Sequence, residues 1–237
     1  MKQYELAVGL HAEGNDSAAF KTLFKALDTD PGNSRAHLLL ASLFLVRRDE
    51  NPKTSDEKAD HHFGEVLRIE AERETPSRGM IADAHNSLGV LRIHQRRLDE
   101  AVKHFELAID EDLYNPKAYM AWGNLGWAHQ EQANHEEALE ALRRAVKINP
   151  AFCVGHFRLG KSFVETKAYE DAESALTRAI EAHSSCESFQ DAWHVRGEVR
   201  MNLGHREDAR RDFERCVELQ SETESGKACR RYLEATY

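Results

Sequence analysis

Residues 125–145, LGWAHQEQANHEEALEALRRA, place a Leu-Gly pair (Leu125-Gly126) ahead of Ala138, Leu142 and Ala145. The same set recurs down the whole chain. One column holds Ala19, Ala59, Ala101, Ala138, Ala172 and Ala209. A second holds Leu23, Phe63, Phe105, Leu142, Leu176 and Phe213, and a third Ala26, Val66, Ala108, Ala145, Ala179 and Cys216. All three share the spacings 40, 42, 37, 34 and 37. A fourth column precedes them: Leu6-Ala7, Leu40-Ala41, Leu88-Gly89, Leu125-Gly126, Leu159-Gly160 and Arg196-Gly197. The small residues let two helices approach closely, and the large one sits a turn further along the same face.

Self-similarity at about 34 residues is the signature of tetratricopeptide (TPR) repeats, each a helix-turn-helix. The expected fold is all-α: a right-handed α-solenoid of six TPR repeats with a C-terminal capping helix, forming one superhelical domain over 1–237. The repeats fall at about 1–33, 34–73, 82–115, 119–152, 153–186 and 190–223, with the cap at 224–237. A lone helix pair cannot cover its apolar face, so stacked neighbours supply the core and a final helix hides the last face. Repeat 2 carries a six-residue insertion around residues 49–55, where Asn51-Pro52 and Thr54-Ser55 read as turn signals and Ser55 as a helix cap. A polar linker, residues 74–79, precedes repeat 3.

The 237 residues are 41% hydrophobic and 31% charged, a balance suited to amphipathic helices with solvated outer faces. A net charge of −9 disfavours nucleic acid, whose binding relies on Lys and Arg neutralising phosphate. No apolar run reaches the roughly 18 residues of a membrane span. No secretory leader precedes the first helix, so either the protein is cytoplasmic or a signal has been removed.

Thirteen histidines raise the question of a metal. His61 and His62 are adjacent and diverge on a helix, and His135-Glu136-Glu137 lacks the second histidine of H-E-x-x-H. Surface or groove histidines are the expected reading, with no metal and no cofactor. No nucleophile elbow, P-loop or dinucleotide fingerprint is present, so an enzyme is not expected. None of the four cysteines forms C-x-x-C. Cys186, Cys216 and Cys229 gather toward the C-terminal end, since the last helix should pack on the one carrying Cys216. A disulfide among them, in an oxidising compartment, stands beside the alternative of free thiols.

Binding is expected on the concave side, lined by the first helix of each pair. Residues two before, two after, and five and six after the column leucine should project there. The apolar ones are Tyr4, Val8, Leu38, Leu45, Val46, Val90, Ile93, Trp127, Phe157, Val164 and Met201. They read either as packing between repeats or as a groove for an amphipathic helix or extended apolar segment. Trp127 is the best anchor. TPR co-chaperones that clamp a terminal carboxylate place Lys and Asn at these slots; here stand Leu38 and Ser42, or Asn86 and Val90.

The stretch Ile109–Pro116, IDEDLYNP, followed by Asn124-Leu125-Gly126, inserts three residues between repeats 3 and 4. This Leu-Tyr-x-Pro joint, with the six-repeat count, resembles the type IV pilus biogenesis TPR lipoproteins, the PilF/PilW pilotins. Within them it most resembles the pilotin of a gliding bacterium. The resemblance implies a monomeric lipoprotein on the periplasmic face of the outer membrane that binds secretin subunits and promotes secretin assembly. In that family a cysteine near the mature N-terminus carries the lipid. This sequence has none before Cys153, so membrane attachment is expected only through an anchor outside this chain. The rival reading is a cytoplasmic TPR scaffold with an unrelated peptide partner.

Overall fold

The computed structural model describes residues 2–47, 51–111 and 117–236. Among them are thirteen α-helices, one short 3-10 helix and no strand. The Leu-Tyr-x-Pro joint and residues 48–50 of the repeat-2 insertion lie outside the described residues.

Two compact units form, 1–115 and 116–237. The first contains α1 (Lys2–Ala12), α2 (Asp16–Thr29), α3 (Ser34–Val46), α4 (Pro52–Ala71), α5 (Arg78–His94) and α6 (Leu98–Glu111). The second contains α7 (Ala118–Glu131), α8 (His135–Ile148), α9 (Cys153–Glu165), α10 (Tyr169–Glu181), η1 (Ser184–Ser188), α11 (Gln190–Leu203), α12 (Arg206–Leu219) and α13 (Glu224–Thr236). Within each unit, consecutive helices pack in pairs and the pairs stack on one another.

The three column positions of the second helices are buried in every repeat. Two contacts show why the columns hold what they hold. A Cβ added at Gly126 would lie 2.5 Å from Leu142 Cγ, and one at Gly89 the same distance from the Phe105 ring. In repeats 3 to 6 the helices meet this closely only because a glycine stands at that position; in repeats 1 and 2 it is the small Ala7 or Ala41. Leu6 is the exception among the leucines, 57% exposed, because α1 packs chiefly against α2 alone. Arg196 replaces the leucine in repeat 6 and is nevertheless buried. Its guanidinium grips Asp212 on α12 with two hydrogen bonds, at 2.8 and 3.0 Å, over the face of Trp193. Arg200 reaches the same carboxylate at 2.9 Å. Two arginines on one side and a carboxylate on the other fill the space with satisfied charge.

The described part of the repeat-2 insertion, from Asn51 on, is the start of a helix, not a turn. Asn51 caps α4, accepting from Thr54 N, and Pro52 takes the first helical position, where its missing N–H costs nothing. Ser55 is therefore inside the helix and buried, not its cap. The linker before repeat 3 is pinned by Glu70, which is fully buried and accepts from Ser34, from Ser77 N and from Arg73.

The cysteines form two disulfides, Cys153–Cys186 and Cys216–Cys229, and none is free. Cys216 and Cys229 join α12 to the capping helix α13. Cys186 pairs not with them but with Cys153. The helical hairpin of repeat 5 brings its own two ends to a Cα separation of 5.6 Å, within bridging range, so the partner lies 33 residues upstream.

Candidate functional site

The concave-face positions divide into two classes. In repeats 2 to 6 the residue five after the column leucine is a packing position, whereas in repeat 1 it is the exposed His11. Leu45 packs on the core of the first unit, and Val164 and Met201 on clusters of the second. Ile93, expected in the groove, is only 4% exposed, because α5 is enclosed by α3, α4 and α6. Gln130 shows where this position points. Its Nε2 donates to the Arg158 carbonyl and to Ser162 Oγ, both at 2.8 Å, on the first helix of the next repeat. Five residues is 140° around a helix from the column leucine, which turns the side chain toward that neighbour.

The positions two and six after the leucine face solvent more often. Val8 and Val46 are exposed, Val46 at 70%. Lys161, Glu131 and Glu165 are exposed too, while Val90 and Trp127 are half-buried. Of the positions two before the leucine, Tyr4 and Leu38 pack against the first unit's core, and Phe157 meets the Phe189 ring at 4.8 Å. Met201 lies in the cluster with Tyr232 and Leu233 of the capping helix, and Tyr232 Oη donates to Glu198 at 2.9 Å. The cap thus covers part of the concave side of repeat 6.

In the second unit these positions converge. Trp127, Gln130 and Glu131 of α7 and Phe157, Lys161 and Glu165 of α9 line one cleft of about 390 Å³, with His135, Arg158 and Ser162. Arg158 organises it. Its Nη1 donates to the Gly123 carbonyl at 2.9 Å and to Asn124 Oδ1 at 3.0 Å, and its guanidinium lies 4.7 Å from the Trp127 ring centroid. Burial lowers the Arg158 pKa to about 10, which leaves it charged at neutral pH. Trp127 Nε1 donates to Glu131 at 3.2 Å. The indole is therefore fixed by a cation on its face and a carboxylate at its edge before any partner arrives, which lowers the ordering cost of binding. The cleft is amphipathic, with Trp127 and Phe157 among charged groups, where the sequence suggested a mainly apolar groove.

Arg158 and Ser162 escaped the sequence reading, which looked only at four offsets from the column leucine. The visible signal was a lone arginine between Phe157 and Leu159. The histidines also need correction: His37, His62 and His156 are buried rather than on the surface. Among the described residues no group of three or more metal-ligating side chains forms, and no helix is long and apolar enough to cross a membrane.

Comparison with known proteins agrees with this architecture. Tetratricopeptide repeat families match residues 80–151 and 190–223. The chain is built of TPR repeats. The peroxisomal targeting signal receptor of Candida albicans is 26% identical over 181 residues, 75% of this chain but 28% of its own length. This chain thus spans little more than a quarter of that relative. The type IV pilus assembly protein PilF of Pseudomonas aeruginosa is 27% identical over 145 residues, 61% of this chain and 52% of that protein. The solved structure of P. aeruginosa PilF superposes with a TM-score of 0.76 at 18% identity, covering 97% of this chain and 96% of that one. PilW, described as a widely conserved type IV pilus biogenesis factor, superposes with a TM-score of 0.77 at 19% identity, covering 95% and 96%. At such identities the superpositions establish a shared fold.

Proposed function

We propose that this chain is a type IV pilus biogenesis factor of the pilotin kind, which binds secretin subunits and promotes their assembly in the outer membrane. The observation that carries the reading is end-to-end similarity: PilF and PilW match nearly the whole of this chain with nearly the whole of their own. The peroxisomal receptor matches only a part of itself. The two disulfides support an oxidising compartment, here the periplasm, over the cytoplasmic scaffold that is the alternative. Since all four cysteines are paired, none of them is a lipidated residue. A narrower likeness to Tgl, the pilotin of a gliding bacterium, and a place at the periplasmic face of the outer membrane belong to the same proposal.

On this reading the α7–α9 cleft captures a secretin segment and keeps its membrane-seeking surface from aggregating. Each large apolar side chain buried on capture contributes about 1.5–3 kcal/mol before ordering costs. Co-purification tests it. Tagged chain is expected to retain soluble secretin fragments, and Trp127→Ala to lose them. Secretin fragments that pass through the wild-type column unretained overturn the reading.

A further inference from the structure

The third residue before the column leucine is the tryptophan position of the TPR motif. Trp122 and Trp193 hold it in repeats 4 and 6, but His37, His85 and His156 in repeats 2, 3 and 5. In repeats 2 and 3 this histidine meets another, the residue just before the column phenylalanine of the paired helix. His37 Nδ1 lies 2.9 Å from His62 Nδ1, and His85 Nδ1 lies 3.0 Å from His104 Nδ1. The same contact is thus built twice, at the same two positions of consecutive repeats. In repeat 5 the equivalent partner position is Ala175, and His156 instead donates from Nε2 to the Pro150 carbonyl at 3.0 Å.

A hydrogen bond between two ring nitrogens contains one proton. His37 Nε2 lies 3.1 Å from the Pro31 carbonyl and donates to it. In the neutral ring Nδ1 is then the acceptor, and His62 Nδ1 is the donor. A further proton on His37 puts hydrogens on both facing nitrogens, and the contact that joined the helices becomes repulsive. Phe44 covers His62, with ring planes 3° apart.

We propose that the His37–His62 and His85–His104 pairs are an acid-sensitive latch between the two helices of repeats 2 and 3, so that acidification loosens α3–α6 while α7–α13 hold.

The surroundings point the same way. Burial is the dominant influence on all four rings and holds each below the ordinary histidine value, His62 and His104 at about 4. Around the first pair, His61, Lys58 and Arg68 oppose protonation, while the Pro31 carbonyl favours it on His37 and Glu65 favours it on both rings. Around the second, Arg92 opposes it, while Glu111 favours it on His85 and Glu100 and Asp60 favour it on His104. A histidine that binds its proton more weakly folded than unfolded gives stability that is complete above its unfolded value near 6.5. That stability is lost as pH falls toward about 4.

Hydrogen exchange of the intact, oxidised chain at about pH 7 and about pH 4.5 tests this. Corrected for intrinsic rates, protection in α3–α6 is expected to fall roughly a hundredfold or more, and in α7–α13, where burial also lowers His156 but no second histidine faces it, less. The double variant H62N/H104N, whose amides hydrogen-bond without titrating, is expected to narrow the difference between the units, His37 and His85 being retained. Equal loss in both units, or an unchanged acid response in the variant, overturns the proposal. Should that variant not fold, NMR titration of the wild-type imidazole protons decides. Four rings still neutral at about pH 5 support the latch, and midpoints near 6.5 for these rings overturn it.

Discussion

Replacing both Cys216 and Cys229 by alanine tests how the array is closed. The capping helix α13 covers the last apolar face through the disulfide, through Tyr232 stacked on Phe213 at 4.6 Å, and through the Tyr232–Glu198 hydrogen bond. The disulfide closes a loop of 13 residues. Loop-closure entropy for that length is about 2.9 kcal/mol at 25 °C. The 33-residue loop of Cys153–Cys186 gives about 3.7 kcal/mol by the same relation. Against a total stability of about 5–15 kcal/mol, either is a large share. Thermal unfolding followed by circular dichroism, without reductant, is expected to show C216A/C229A melting about 6–12 °C below the parent. C153A/C186A should fall somewhat further, because its loop is longer. A C216A/C229A variant that melts with the parent refutes the loop reasoning. Alkylation of four thiols in denatured, unreduced protein refutes the pairing itself.

Three other substitutions probe separate parts of the account. Gly126→Val forces a Cβ against Leu142 and should cost about 1–3 kcal/mol, read by urea denaturation. Arg196→Leu restores the residue that the other repeats carry, yet should destabilise by about 3 kcal/mol, since Asp212 keeps only Arg200. A gain in stability would show that the buried charges are dispensable. Trp127→Ala should weaken partner binding by about 2 kcal/mol or more in calorimetry while leaving helicity unchanged. Unchanged affinity would move the site away from the α7–α9 cleft.

The repeat architecture was legible because helix packing demands small and large residues at fixed offsets, and those offsets survive even where Arg196 takes the leucine's place. Side-chain direction was less legible. Offsets from the column leucine do not separate the exposed Val46 and the cleft residue Trp127 from Ile93, which is buried, or from Gln130, which bonds to the next repeat, because a single repeat does not encode its neighbours' packing. The insertion misled because Asn-Pro serves equally as a turn and as a helix cap followed by its first residue. Cys153 was passed over because its distance from Cys186 in sequence conceals that a helical hairpin returns the chain to its start. The histidine pairs were hidden for a related reason. Their members lie 25 and 19 residues apart, on different helices, and only alignment of the repeats puts them in register.

The central claim concerns what binds the concave face. Its most direct test is the state of the secretin in cells lacking this protein. Heat-resistant secretin multimers, resolved by gel electrophoresis of outer membranes, are expected to disappear on deletion, leaving monomers. They should return with the wild-type gene and not with Trp127→Ala. Normal multimers in the deletion strain would contradict the account.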